Sequence, residues 1–333
     1  MITFRNVIFI SDIHAESSTP EGRRDDVFSA FQDKFNFLID YAIQNQSLII
    51  QAGDLTNKPR DWKVMNYLSA ALGKLKENNL AFVSLYGQHD LYMRNIGGDS
   101  IFNALQYGGL IFNLSNLKDF YFHLYAKKNL IKCCVIGLTL YDEKSIADKI
   151  ASIFINIENL SSIDRIFLVI HGPIGLNDKE RSMYDLFGFE KILKHRLDLK
   201  IYQKLSLILL GDIHEAFNSN DFIINTGPMM RLRRVPSEML HQPHFYTYDR
   251  NKLRRVDIPS DNVDDIFNDQ IDSDIKARKS DEMQELYDEL SSGNLGELSV
   301  EIIAEAVSSG LKKIVKKKMI EYFTDFDIIT KGK

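Results

Sequence analysis

Short apolar runs, each closed by a polar or glycine-containing turn, constrain this chain more than any other feature. They span 7–10 before Ser11-Asp12, 48–50 before Gly53-Asp54, 80–85 before Gly87, 131–138, 166–170 before His171, and 205–210 before Gly211-Asp212. Such runs read as strands buried on both faces. Helical patterns lie between several of them. Residues 26–43 carry Val27, Phe28, Phe31, Phe35, Phe37, Leu38 and Ile39, and 62–77 carry Met65, Leu68, Leu72 and Leu75. Strands alternating with helices imply a layered α/β domain, whose ligands bind at the carboxyl ends of the strands. Two further strands are expected at 221–224 and 245–248.

The 333 residues are enough for about two domains. Apolar residues make up 44% and charged residues 26%, the balance of a soluble globular protein rather than a disordered one. Lys and Arg number 41 against 46 Asp and Glu, so nucleic-acid binding would have to rest on a local patch. Cys133 and Cys134 are adjacent on an expected strand and point to opposite faces, which excludes a disulfide framework and suits a reducing cytosol. No apolar stretch approaches the roughly 20 residues of a membrane span. The N-terminus runs straight into a motif and is not expected to be a signal peptide. Residues 261–282 are acidic and read as a linker. Beyond them, 283–290 and 298–323 read as helices, the second with an apolar stripe opposite Lys312, Lys313, Lys316, Lys317 and Lys318.

Five segments at strand ends concentrate the chemistry: Asp12-Ile13-His14, Gly53-Asp54-Leu55, Gly87-Gln88-His89-Asp90, His171-Gly172-Pro173 and Gly211-Asp212-Ile213-His214. Carboxylates and imidazoles together suit divalent Mn, Fe, Zn or Mg. In Asp-x-His at a strand end both side chains point the same way and can grip one ion. Two ions roughly 3.5–4 Å apart can activate a water and stabilise a phosphoryl displacement.

The order Asp-x-His, Gly-Asp, Gly-Gln-His-Asp, His, Gly-Asp-x-His resembles the signature of calcineurin-like metallophosphoesterases over roughly residues 1–260. Within that superfamily the chain looks most like the SbcD-type double-strand-break repair nucleases, whose divergent members also occur in large tailed phages. The loop Asp54-Leu55-Thr56-Asn57-Lys58-Pro59 and the turn Ile224-Asn225-Thr226-Gly227-Pro228, with Arg231 following, carry that narrower likeness. The resemblance implies a four-layer α-β-β-α sandwich with a small α+β capping region and a helical C-terminal tail. The implied division is a nuclease domain at 1–218, closing strands at 219–260, an acidic linker at 261–282 and a partner-binding tail at 283–333. It implies two divalent metals, Mn2+ first and Mg2+ second. One would be held by Asp12, His14, Asp54 and His214, the other by Asp54, Gln88, His171 and Asp212. His89, oriented by Asp90, would protonate the leaving oxygen or stabilise the transition state. Gln88, Asp212 and Asn57 stand where these nucleases carry Asn, His and His. All three changes fall on the side of the second metal or its substrate, and the extra carboxylate leans the site toward Mn or Mg.

The leading expectation is a cytoplasmic metal-dependent DNA exo/endonuclease for repair and recombination. It would be the catalytic subunit of an SbcC/SbcD-like complex, with the tail gripping an SMC-like ATPase and the chain forming a homodimer. Arg23, Arg24, Asn57, Arg231, Arg233 and Arg234 are the candidate DNA contacts. Trp62 and Tyr92 are read first as core residues and second as base-stacking ones. Two other readings stay open: a two-metal phosphoesterase acting on phosphoproteins or small nucleotides, and a non-catalytic DNA-end scaffold.

Overall fold

A computed structural model describes residues 2–20, 22–115, 119–126, 129–140, 160–176, 184–197, 199–249 and 252–267. The chain divides into two units, Met1–Phe267 and Asn268–Lys333. The helices expected at 283–290 and 298–323, and most of the expected linker, lie outside the described residues.

The strands are β1 (Ile2–Phe4), β2 (Asn6–Ile10), β3 (Ser47–Gln51), β4 (Phe82–Ser84) and β5 (Phe112–Asn113). Next come β6 (Asp119–Ala126), β7 (Asn129–Thr139), β8 (Arg165–His171), β9 (Ile174–Gly175) and β10 (Tyr184–Asp185). The last are β11 (Leu205–Gly211), β12 (Phe217–Ser219), β13 (Ile223–Asn225), β14 (His244–Asp249) and β15 (Lys252–Asp257). A seven-stranded sheet runs β1-β6-β7-β8-β11-β13-β12, and a six-stranded sheet runs β15-β14-β2-β3-β4-β5. β2, β3 and β4 are parallel, as are β7, β8 and β11, so their carboxyl ends collect at one edge of each sheet.

Alternation of side chains along each strand builds the layers. Val7, Phe9, Leu48 and Ile50 face inward, onto Cys133, Val135, Phe167, Val169, Leu207 and Leu209 of the other sheet. The ring centroids of Phe9 and Phe167 lie 5.4 Å apart across this interface. The intervening residues Ile8, Ile10 and Ile49 turn outward onto helices α1 (Val27–Gln44), α2 (Trp62–Glu77) and α3 (Ile101–Tyr107). Cys134, Ile136, Ile166, Leu168, Ile208 and Leu210 turn the other way, onto α4 (Leu186–Arg196) and α5 (Leu199–Lys204). The result is the expected α-β-β-α sandwich, with Cys133 and Cys134 in different layers. Asp26 caps α1 through the Phe28 and Ser29 amides, and Asp61 caps α2 through those of Lys63 and Val64. No helix among the described residues is long and apolar enough to cross a membrane.

Two expectations change. The opening of the expected linker is packed rather than solvated: Ile266 and Phe267 are buried, and the Arg24 amide donates to the Ile266 carbonyl at 2.9 Å. Trp62, expected in the core, is 82% exposed on the first turn of α2, because the apolar stripe of that helix runs instead through Val64, Leu68, Leu72 and Leu75.

Candidate metal centre

Backbone strain gathers where the strands end. Asp12 and His14 after β2, Asp54 after β3 and Asp212 after β11 all have positive φ, at 43°, 49°, 52° and 92°. Non-glycine residues adopt this region at a cost, and they hold it only where surrounding contacts over-determine it. Here they do. The His14 amide donates to the Asp54 carbonyl, the Met229 amide to the Asp12 carbonyl and the Asp212 amide to Asp12 Oδ1, each at 2.9 Å. Ser11 is tied to the Asn225-Thr226-Gly227 turn through its amide on Thr226 Oγ1 at 2.8 Å and its hydroxyl on Asn225 Oδ1 at 3.2 Å. Gly87 is required by close approach, since a Cβ there would lie 2.5 Å from the Asp54 amide nitrogen.

These turns bring together five of the expected ligands in three overlapping sets. Asp12 with His14 and His214, His14 with Asp54 and His89, and Asp12 with Asp54 and His171 each place their ligand atoms within 4.8 Å of one another. His14 Nε2 lies 2.9 Å from His214 Nε2 and 4.0 Å from Asp54 Oδ2. His171 donates its Nδ1 proton to the Ala52 carbonyl at 2.7 Å and turns Nε2 to Asp54 Oδ2 at 3.5 Å and Asp212 Oδ1 at 3.9 Å. A backbone carbonyl on one ring nitrogen, with the other aimed at carboxylates, is how proteins present a histidine to a metal.

The set fits divalent cations. The buried atoms Asp12 Oδ2, His14 Nδ1 and His171 Nε2 find no hydrogen-bond partner among the described residues. Unpaired buried polar atoms are costly, and all three belong to residues of the overlapping sets, where a cation would supply partners. Charge says the same. Burial pushes the Asp12 carboxyl up to about 6 and the His14 imidazole down to about 3. Burial opposes a charge on His171, but Asp54, Asp12 and Asp212 outweigh it and hold the ring up to about 10. Burial likewise opposes a charge on Asp54, but His171, His14 and His89 keep that carboxyl well below its usual range. Clustered carboxylates thus demand a positive charge at their centre.

Gln88 and Asp212 stand apart from these sets. Gln88 Nε2 donates to Asp212 Oδ1 at 2.8 Å, which turns the amide nitrogen toward the carboxylate.

His89 is exposed beside His14, their ring centroids 5.0 Å apart. Its expected orienting partner is wrong: His89 Nδ1 faces the Asn57 carbonyl at 3.2 Å, not Asp90. Asp90 is fully buried and serves the backbone instead. It accepts from the amides of Leu55 (3.1 Å), Thr56 (2.8 Å) and Gly87 (2.9 Å) and from the Thr56 hydroxyl (2.9 Å), stitching two site loops together.

The expected DNA contacts divide. Arg23 and Arg231 are corrected to structural residues, both 7% exposed. Arg23 pairs with Asp25 at 2.5 Å and donates to the Arg231 carbonyl, also at 2.5 Å. Arg231 donates to the carbonyls of His241 at 2.8 Å and Asp261 at 2.9 Å. These bonds turn both guanidinium groups inward, toward Asp25 and the carbonyls of residues 231, 241 and 261. Arg24 and Arg233 are exposed, Arg234 is half-buried, and Asn57 donates to the buried Glu16 at 2.5 Å. Tyr92 lies under the Arg60 guanidinium, 3.5 Å from ring centroid to Arg60 Cζ.

A cavity of about 300 Å³ opens on this centre, lined by His14, Asn57, His89, His214, Arg233 and Glu238. Sequence reading missed Glu238 and Glu16, both buried carboxylates in its wall. Glu16, two residues past His14, carried a weak positional signal; Glu238, in the short helix Pro236–Met239, carried none. Burial opposes the Glu238 charge, but the His214 ring and the Arg233 amide and guanidinium hold its carboxyl down to about 2.

No curated protein matches the sequence. Among solved structures the chain is similar to TT1561 of Thermus thermophilus, at 13% identity and a TM-score of 0.44, over 77% of this chain and 100% of that one. It is similar also to GAP50, the anchor in the inner membrane complex of Plasmodium, at 14% identity and a TM-score of 0.48, over 76% of this chain and 84% of that one. The family model for calcineurin-like phosphoesterases matches residues 5–216, from β2 through the last strand-end motif. With that match spanning every strand-end turn at the site, the chain belongs to the calcineurin-like phosphoesterase family.

Proposed function

We propose that this family member is a metal-dependent nuclease that hydrolyses DNA phosphodiesters. In this reading it is the catalytic subunit of an SbcC/SbcD-like end-processing complex, with Mn2+ as its preferred metal. The observation that carries the hydrolytic reading is an exposed His89 standing against the ligand set at an open cavity. Divalent cations held there would supply a polarised phosphoryl oxygen and a water made nucleophilic at neutral pH. Asp12, His14 and His214 would hold one ion, and Asp12, Asp54 and His171 the other. The Asn57 carbonyl accepts from His89 Nδ1, so a proton for the leaving oxygen would come from Nε2 of the doubly protonated ring. Arg233, with its side chain 45% exposed at the cavity wall, offers a guanidinium to a substrate phosphate.

The DNA assignment draws on the loop after Asp54, the turn at Asn225–Gly227 and the exposed Arg24 and Arg233. Partner binding is assigned to the helices expected at 283–290 and 298–323, and homodimerisation to exposed Trp62 and Tyr107 beside a cavity of about 560 Å³ along α2 and α3. The location that suits these roles is the cytoplasm, or a host cytoplasm for a viral chain.

A Mn2+-dependent assay on linear double- and single-stranded DNA tests the reading, with His89→Ala and Asp54→Ala beside wild type. Cleavage lost in both variants supports it. Hydrolysis of bis-p-nitrophenyl phosphate without DNA cleavage would replace it with an esterase of smaller phosphate substrates. The burial of Arg23 and Arg231 favours that second reading, because it withdraws two of the guanidinium groups expected to meet DNA phosphates.

A further inference from the structure

We propose that Glu238 selects the tautomer of His214 that can ligate a divalent cation, and that Arg233 competes with it for the same ring nitrogen. This rests on the reading of Asp12, His14 and His214 as cation ligands. His214 Nδ1 has two neighbours of opposite character: Arg233 Nη2 at 3.1 Å and Glu238 Oε1 at 3.6 Å. A guanidinium can only donate. With Arg233 in contact, Nδ1 must accept, so the single proton of the neutral ring sits on Nε2. Nε2 faces His14 Nε2 at 2.9 Å, inside the ligand set, and in this tautomer it offers no lone pair. A carboxylate can only accept. With Glu238 in contact, the proton moves to Nδ1 and Nε2 is bare toward Asp12 and His14.

Glu238 is built to stay in place. It is 1% exposed, and its two oxygens accept from the Arg233 amide and Nε, each at 2.7 Å. Arg233 Nη2 lies 2.7 Å from the same Oε1 and so occupies both the carboxylate and the ring nitrogen; the guanidinium is the part that can leave, since the Arg233 side chain is 45% exposed at the cavity. A ring shift of less than about 1 Å brings His214 Nδ1 within hydrogen-bond distance of Oε1. A phosphate that draws Arg233 outward would therefore favour the ligating tautomer and tighten the cation. Linkage makes the effect reciprocal. Glu238 is a positioning residue in this account, acting on the cation only through His214.

The test is calorimetric titration of the full chain with Mn2+, comparing wild type with Glu238→Gln and Arg233→Gln. Melting in EDTA checks that each variant folds. Glu238→Gln is expected to weaken Mn2+ binding by about tenfold or more. Arg233→Gln is expected to leave it unchanged or tighter. A merely structural pair would weaken binding equally in both variants, and that result overturns the proposal, as does unchanged affinity in Glu238→Gln. A wild-type chain that binds no Mn2+ overturns the underlying metal reading itself. Nitrogen-15 shifts of His214 in the wild-type chain need no variant. They are expected to show the proton on Nε2 without metal and on Nδ1 with Zn2+. A proton on Nδ1 in both states removes Arg233 as competitor and overturns the proposal.

Discussion

Asp90→Ala separates a scaffold from a catalyst. Asp90 is fully buried, and its removal leaves the backbone amides of Leu55, Thr56 and Gly87 without their acceptor. Each orphaned buried donor costs about 1–3 kcal/mol. Burial and the neighbouring Asp54 charge push the Asp90 carboxyl up to about 6. Deleting a carboxylate so disfavoured offsets part of that cost. Three such donors cost about 3–9 kcal/mol before that offset, or about 1–4.5 M in the urea midpoint at a slope of about 2–3 kcal/mol per M. His89→Ala, at an exposed position, is expected to leave the midpoint within about 0.5 kcal/mol of wild type. Its phosphodiester hydrolysis should fall about 10²–10⁴-fold. Urea titrations followed by circular dichroism, run beside the hydrolysis assay, give both readouts. An Asp90→Ala chain with the wild-type midpoint, but with activity lost as in His89→Ala, would refute the scaffold role. Asp90 would then be the orienting partner of His89.

Saturating Mn2+ should stabilise the fold, by about 2.7 kcal/mol at a hundred times its Kd, and EDTA should reverse the gain; a melting curve indifferent to Mn2+ counts against the metal centre. Burial, and then the neighbouring His244, pushes His241 down to about 4 from its ordinary 6.5. The unfolded chain therefore binds the extra proton between those values, and stability rises with pH from about 4 to 6.5. His241→Gln should flatten that rise, and parallel profiles for the two proteins would exclude His241 as its source. Arg23→Gln should lower the melting temperature with little change in the salt dependence of DNA binding, because its guanidinium is spent on Asp25 and the Arg231 carbonyl. Arg233→Gln should instead reduce the log–log salt slope by about 0.9 for each phosphate it no longer neutralises; equal slopes for wild type and Arg233→Gln would remove Arg233 from the DNA surface.

The sandwich was legible because its determinants are local. An apolar run too short for a helix, ending in Gly-Asp or Asp-x-His, specifies a strand and the turn after it, whatever lies across the sheet. Alternation then separates Cys133 from Cys134 and Phe9 from Ile8 and Ile10 without reference to any partner. The gathering of Asp12, His14, Asp54, His171 and His214 was legible for the same reason, since each follows a strand and parallel strands end together. What tertiary structure alone decided was how those residues are held and by whom. The partner of His89 is a backbone carbonyl, which no side-chain motif encodes. Arg23 and Arg231 look like surface charges in sequence and become buried ties, because carbonyls from residues 231, 241 and 261 converge on them. Trp62 lies outside its helix's stripe by a fraction of a turn and so meets solvent. Glu238 reaches His214 across 24 residues of chain, from the short helix Pro236–Met239. Local pattern sets the direction a side chain leaves its own backbone; only the packed fold sets what it meets.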